Sequence, residues 1–162
     1  MYNATKELPE GIAMQDVIEK EIIVRAPQER VYAALTDPEK LAGWFPDAVE
    51  GKIAPGERPI LDFGEYGKSK IYIVATDPYY YFAYRWVSGS VTIPDGFLGD
   101  VLTRPHTLVE FHLEAVSEGT RVKLVESGFS TLAAEVMQTT YNDNTEGWEY
   151  MLGRLGEFAE KD

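Results

Sequence analysis

The sequence predicts an α+β fold: a curved antiparallel sheet wrapped around one long C-terminal helix, with two short helices after the first strand. Three patterns carry this. Strand-like segments joined by turns follow one another from residue 48 to residue 126. Ahead of them, Val31, Ala34 and Leu35, then Leu41, Trp44 and Phe45, recur at helical spacing. At the far end, Trp148, Met151, Leu152, Leu155 and Phe158 or Ala159 form one helical stripe.

The first strand is expected over residues 17–25, centred on Ile22-Ile23-Val24. Ala26-Pro27 stops it, and Pro27 suits the first turn of a helix because its missing N–H costs nothing there. Glu29 supports that turn through the helix dipole. Asp37-Pro38 ends the first helix and starts the second, with Asp37 as N-cap. Residues 48–57 hold Gly51, Pro55 and Gly56 and read as a short strand and turn. Leu61 and Phe63 alternate with Asp62 in the next strand, and residues 65–68 supply a hairpin turn. Residues 70–76 form a strand turned by Asp77-Pro78. Residues 79–87 form an aromatic strand with Phe82, Tyr84 and Trp86 on one face. The connection over residues 88–105 is long and rich in Pro and Gly, as functional lids and plain insertions both are. Residues 107–115 place Val109, Phe111 and Leu113 on one face. A turn at residues 117–120 follows, and residues 121–126 return with Val122 and Leu124 inward. Residues 130–140 have helical tendency but an uneven face, so the long helix is expected over residues 142–159.

Composition bounds the function. A chain of 162 residues with 44% apolar content fits one domain over residues 17–162, preceded by an arm at residues 1–16. It has no cysteine, so thiol and disulfide chemistry are excluded. No signal peptide and no membrane-length apolar run is visible, so a soluble cytoplasmic protein is expected. The net charge of −12 argues against nucleic acid and anionic membranes as partners, and the densest basic group, Lys68 and Lys70, is small. His106 and His112 lie six residues apart and provide too few ligands for a metal site. His112, Glu110 and Arg85 share outward strand parity, as does Asp62. No nucleophile elbow, phosphate loop or dinucleotide fingerprint is present, and no catalytic residue is assigned.

The stretch from Ala26-Pro27 to Phe45 resembles the START-like, or SRPBCC, superfamily with its helix-grip fold. So do Asp77-Pro78 with Arg85-Trp86, the Gly119-Thr120 hairpin, and Glu126-Ser127-Gly128-Phe129 followed by Gly147-Trp148. The branch it is most similar to is the family named for the C-terminal domain of the activator of heat shock protein 90 ATPase. The resemblance runs in order from about Val17 to Glu160 and implies a helix-grip fold. Across the superfamily it implies lipid carriers, polyketide cyclases, hormone receptors or cochaperone domains, so fold alone does not select among them. The long 88–105 connection departs from the pattern.

The favoured function is binding of a small hydrophobic or aromatic molecule in an internal cavity opening beneath residues 88–105, with no cofactor. The candidate lining residues are Trp44, Phe45, Phe63, Tyr72, Tyr84, Trp86, Phe111, Leu113, Phe129, Trp148, Met151 and Leu152. Two arrangements satisfy this pattern. The aromatic side chains line a cavity, or they fill a solid core with their polar tips bonded to backbone. A chaperone-binding module and a cyclase- or hydrolase-like enzyme using Tyr or Glu are the alternative functions.

Overall fold

The computed structural model describes residues 16–89 and 95–161. The larger sheet contains five strands in the order β1-β9-β8-β6-β5, all antiparallel. They are β1 (Val17–Val24), β5 (Tyr72–Asp77), β6 (Tyr81–Trp86), β8 (Thr107–Val116) and β9 (Gly119–Ser127). A second sheet, β2-β3-β4-β7, is built from short strands: β2 (Ala48–Glu50), β3 (Ile60–Asp62), β4 (Lys68–Lys70) and β7 (Gly96–Phe97). Ile71 and Ile73 donate their N–H groups to Pro59 and Glu57 carbonyls at 3.0 Å, stitching the start of β5 to the chain that leads into β3.

Helix α1 (Gln28–Thr36) follows the first strand and buries Val31, Tyr32, Ala34 and Leu35. Pro27 sits just before it as the capping position, and its carbonyl accepts from Val31 at 3.2 Å. Helix α2 (Pro38–Leu41) is capped by Asp37, whose Oδ1 accepts from the N–H groups of Glu39 (2.9 Å) and Lys40 (3.4 Å). The C-terminal helix α3 (Ala134–Lys161) is a single rod of 28 residues that packs against β1, α1 and the turn at Phe129–Thr131.

Alternation decides which side chains face α3. Phe82, Tyr84 and Trp86 on β6, Val109, Phe111 and Leu113 on β8, and Val122 and Leu124 on β9 are all buried. Trp148, Leu152, Leu155 and Ala159 meet them from the helix. Gly119 opens β9 at φ +145°, and a Cβ there would collide with the Val24 carbonyl, so only glycine lets β1 and β9 approach at this point.

Four expectations are corrected. The strands form two sheets, because β2, β3 and β4 pair with one another and with β7 inside the long connection. The 65–68 turn is a 3₁₀ turn over Gly64–Tyr66. Tyr79 and Tyr80 lie outside β6 in an exposed turn, where Tyr79 packs edge-on to Tyr32. The long helix begins at Ala134 rather than residue 142, because its first turns are mostly exposed and show little apolar periodicity. The expected arm at residues 1–16 falls outside the described residues except for Asp16, as does the centre of the 88–105 connection, residues 90–94.

Candidate functional site

Between α3 and the large sheet lies a cavity of about 140 Å³, lined by Phe45, Trp86, Asp143, Asn144, Gly147, Trp148 and Met151. Its walls come from three elements. Strand parity aims Trp86 inward from the end of β6. Asp143, Asn144, Gly147, Trp148 and Met151 occupy successive positions on one side of α3. Phe45, from the chain after α2, stacks on Trp148 with ring centres 5.4 Å apart and on Trp44 at 5.3 Å. A larger groove of about 600 Å³ adjoins the cavity, sharing Phe45 and Met151 and adding Asp47, Phe63, Glu65, Tyr66, Tyr150 and Arg154. The exposed Asp143 and Gly147 border the cavity mouth.

Behind the aromatic wall sits a carboxylate that is fully buried, Glu126 of β9. Four side chains donate to it. Trp148 Nε1 reaches Oε1 at 2.8 Å, and Trp86 Nε1 reaches Oε2 at 2.9 Å. Thr107 Oγ1 donates to Oε2 at 2.6 Å, and Asn144 Nδ2 lies 3.1 Å from both oxygens. Asn144 Nδ2 also lies 3.0 Å from Ser88 Oγ, which ties the start of the long connection to the network. Burial pushes the Glu126 carboxyl above the usual carboxylate range, and the bonds from Thr107, Trp86, Trp148 and Asn144 pull it back. Indole N–H groups can only donate, so an acceptor at this point fixes both tryptophan rings. Complete burial, with the Glu126 charge behind it, pushes the Tyr84 phenol well above its ordinary value, and its hydroxyl has no partner among the described residues.

The structure brings four of the twelve candidate lining residues to the cavity: Phe45, Trp86, Trp148 and Met151. Phe63 belongs to the adjoining groove. Trp44, Tyr84, Phe111, Leu113, Phe129 and Leu152 are buried core. Among these, Trp44 donates to the Ala34 carbonyl at 2.8 Å, Tyr84 stands edge-on to Trp86, and Phe111 stands edge-on to Trp148. Tyr72 lies on the opposite face: it pairs with outward-pointing Arg85, while Ile71 and Ile73 take the inward positions. Its ring carries the Arg58 guanidinium 4.8 Å above it.

Sequence reasoning passed over Glu126 and Asn144. The signal for Glu126 was present, since it shares strand parity with Val122 and Leu124. Among the described residues no group of three or more His, Cys, Asp or Glu side chains could hold a metal ion, and no helix is long and apolar enough to cross a membrane. His112 is exposed beside Tyr81, with ring centres 5.0 Å apart.

An antiparallel sheet curled about one long C-terminal helix, with short helices after the first strand, is the helix-grip architecture. The chain belongs to the family described as Activator of Hsp90 ATPase homolog 1-like protein, which it matches over residues 25–160. Protein MLL2253 from Mesorhizobium loti is similar in structure, with a TM-score of 0.72 at 20% identity over 90% of this chain and 97% of that one. DynU16, from the dynemicin biosynthetic locus, gives 0.70 at 26% identity over 90% of this chain, which spans 47% of DynU16. The Aha1 dimer from Colwellia psychrerythraea gives 0.68 at 18% identity over 89% of this chain and 96% of that one. No curated protein shows a significant sequence match.

Proposed function

We propose that this protein binds a small, largely apolar molecule through an aromatic ring seated against the wall formed by Phe45, Trp86 and Trp148, beside Gly147 and Met151, and does not transform it. One observation carries the reading: a carboxylate buried behind the cavity accepts from three of the side chains that wall it, Trp86, Asn144 and Trp148. A buried ionised group costs several kcal/mol unless well bonded, and here its bonds hold two indoles and an amide around an opening. The size suits one ring, since a dry apolar cavity of about 150 Å³ holds benzene. The groove beyond Phe45 and Met151 accommodates the remainder of a larger molecule.

The same geometry disfavours the enzyme reading. Both Glu126 oxygens are already engaged, and the one titratable lining residue, Asp143, is exposed at the mouth. The likeness to a protein of a biosynthetic locus supports a small-molecule occupant. The chaperone-regulating alternative rests on the family description and on the likeness to Aha1, which is a likeness of fold.

Native mass spectrometry of gently purified protein, followed by denaturing extraction, tests the proposal directly. Titration with toluene while recording tryptophan emission completes it, because Trp86 and Trp148 border the cavity. A stoichiometric small molecule, or saturable quenching, is the expected result. An empty protein with unsaturable emission overturns it and leaves chaperone capture as the next experiment.

A further inference from the structure

On the face of the sheet opposite the cavity, the structure assembles a second and chemically different site. Arg85 points outward from β6, next to inward-pointing Trp86. Together with Arg104, Pro105, His106, Leu108, Ser127, Gly128 and Thr131 it lines a depression of about 470 Å³. In a chain of net charge −12 this is an unusual meeting of cationic groups. Among the described residues no carboxylate lines the depression, and neither Arg85 nor Arg104 has one within ion-pair distance. The outer-face carboxylate Glu110 already accepts from the Tyr81 hydroxyl.

The cationic groups are held in place. The Arg104 guanidinium stacks 4.9 Å above the Phe97 ring. His106 Nδ1 lies 2.8 Å from the Arg104 carbonyl, so Nδ1 carries the proton and donates. Its Nε2 lies 3.4 Å from Arg85 Nη1, which places the ring beside that guanidinium. Thr131 Oγ1 closes the rim, lying 3.1 Å from the His106 carbonyl and 2.7 Å from that of Gly128. Pro105 and Leu108 supply an apolar wall.

We infer that this depression binds a small organic anion, its phosphate or carboxylate group on Arg85 and Arg104 and its apolar part against Pro105 and Leu108. Guanidinium forks match the planar oxygen pairs of such groups, and forks prepositioned by neighbouring side chains bind them best. The site stands apart from the cavity, and neither reading depends on the other.

Phenyl phosphate and inorganic phosphate, titrated separately at constant ionic strength and followed by amide and His106 chemical shifts, test the inference. Wild-type protein is expected to bind phenyl phosphate saturably, at least about tenfold more tightly than inorganic phosphate. Arg85→Gln and Arg104→Gln are each expected to weaken it by about tenfold or more, whereas Arg25→Gln, at an exposed arginine that lines neither site, leaves it unchanged. Gly147→Leu, which fills the cavity on the other face, is expected to retain it. Thermal unfolding of each variant without ligand confirms folding, and the exposed Arg104 is the safer of the two substitutions. Four results overturn the inference: no saturation by about 10 mM, equal affinity for inorganic phosphate, unaltered binding in both arginine variants, or loss of binding in Gly147→Leu.

Discussion

Two glycines on the same helix provide a controlled test of the cavity. Gly147 borders the cavity and Gly153 does not, and both are exposed. A Cβ added at either meets no heavy atom within 4 Å, so both positions have room for a side chain to leave the helix. Gly147→Leu introduces four carbons at the mouth of a space of about 140 Å³. A space of that size holds a six-carbon ring, so what remains is too small for one. Burying a six-carbon aromatic ring stabilises a complex by about 2–3 kcal/mol. Excluding the ring by half or more therefore costs about 1 kcal/mol or more, roughly a fivefold or greater rise in Kd. Gly153→Leu is expected to leave Kd unchanged. Both variants should be more stable than wild type by about 0.7 kcal/mol, because leucine is the better helix former. That corresponds to a rise of roughly 2 °C in Tm for a domain of this size. Toluene titration with tryptophan emission reads the affinity, and calorimetry reads the stability. Unchanged affinity in Gly147→Leu refutes the cavity as the binding site. Equal loss in both variants shows that the effect is not local.

Glu126→Gln leaves only one acceptor oxygen for four donor side chains, so at least one buried N–H loses its partner; a loss of about 1–3 kcal/mol in urea unfolding, with a shift in tryptophan emission, is expected. Because burial raises the folded-state carboxyl of Glu126, the folded chain holds this proton more tightly than the unfolded chain. Its contribution is therefore complete below the ordinary glutamate range and is lost as pH rises through the raised value, so the stability gap between wild type and Glu126→Gln should widen from pH 7 downward; a constant gap refutes the assignment. Tyr81 is pushed up to about 12, by burial first and then by its bond to Glu110. Glu110→Gln should lower that value in an ultraviolet titration, and the stability that Tyr81 contributes should fade as pH rises from 10 towards 12 in wild type. Gly119→Ala, which sets a Cβ against the Val24 carbonyl at positive φ, should cost about 1–3 kcal/mol by the same unfolding assay.

The fold was legible where periodicity is local. Alternation along β6, β8 and β9 identified the buried side of each strand, and helical spacing identified Trp148, Leu152 and Leu155. The start of α3 was not legible, because its inward residues before Trp148, namely Met137, Thr140, Tyr141 and Asn144, mix polar with apolar side chains and leave no clean apolar stripe. The second sheet was hidden for another reason: its strands are two or three residues long, and β7 pairs with β4 across a wide sequence separation. Short segments carry too little pattern to announce a partner.

The two sites differ in why the sequence concealed them. Glu126 was visible by parity, and what obscured it was the general rule that carboxylates face water. That rule fails when enough donors converge, and they arrive from β6, β8 and α3, none of them adjacent to Glu126 in the chain. An inward-parity carboxylate on a strand that faces an aromatic core therefore carries information: it implies indole or amide donors opposite, and donors that are held imply a shaped space beside them. Arg85, Arg104 and His106 are the converse case. Each is unremarkable along the chain, and strand parity correctly turns Arg85 outward. What makes them a site is that the pairing of β6 with β8 brings Trp86 opposite Thr107, and so sets Arg85 beside the residues that lead into β8. Convergence of that kind resides in the strand register, which no count of basic residues in a window can reveal.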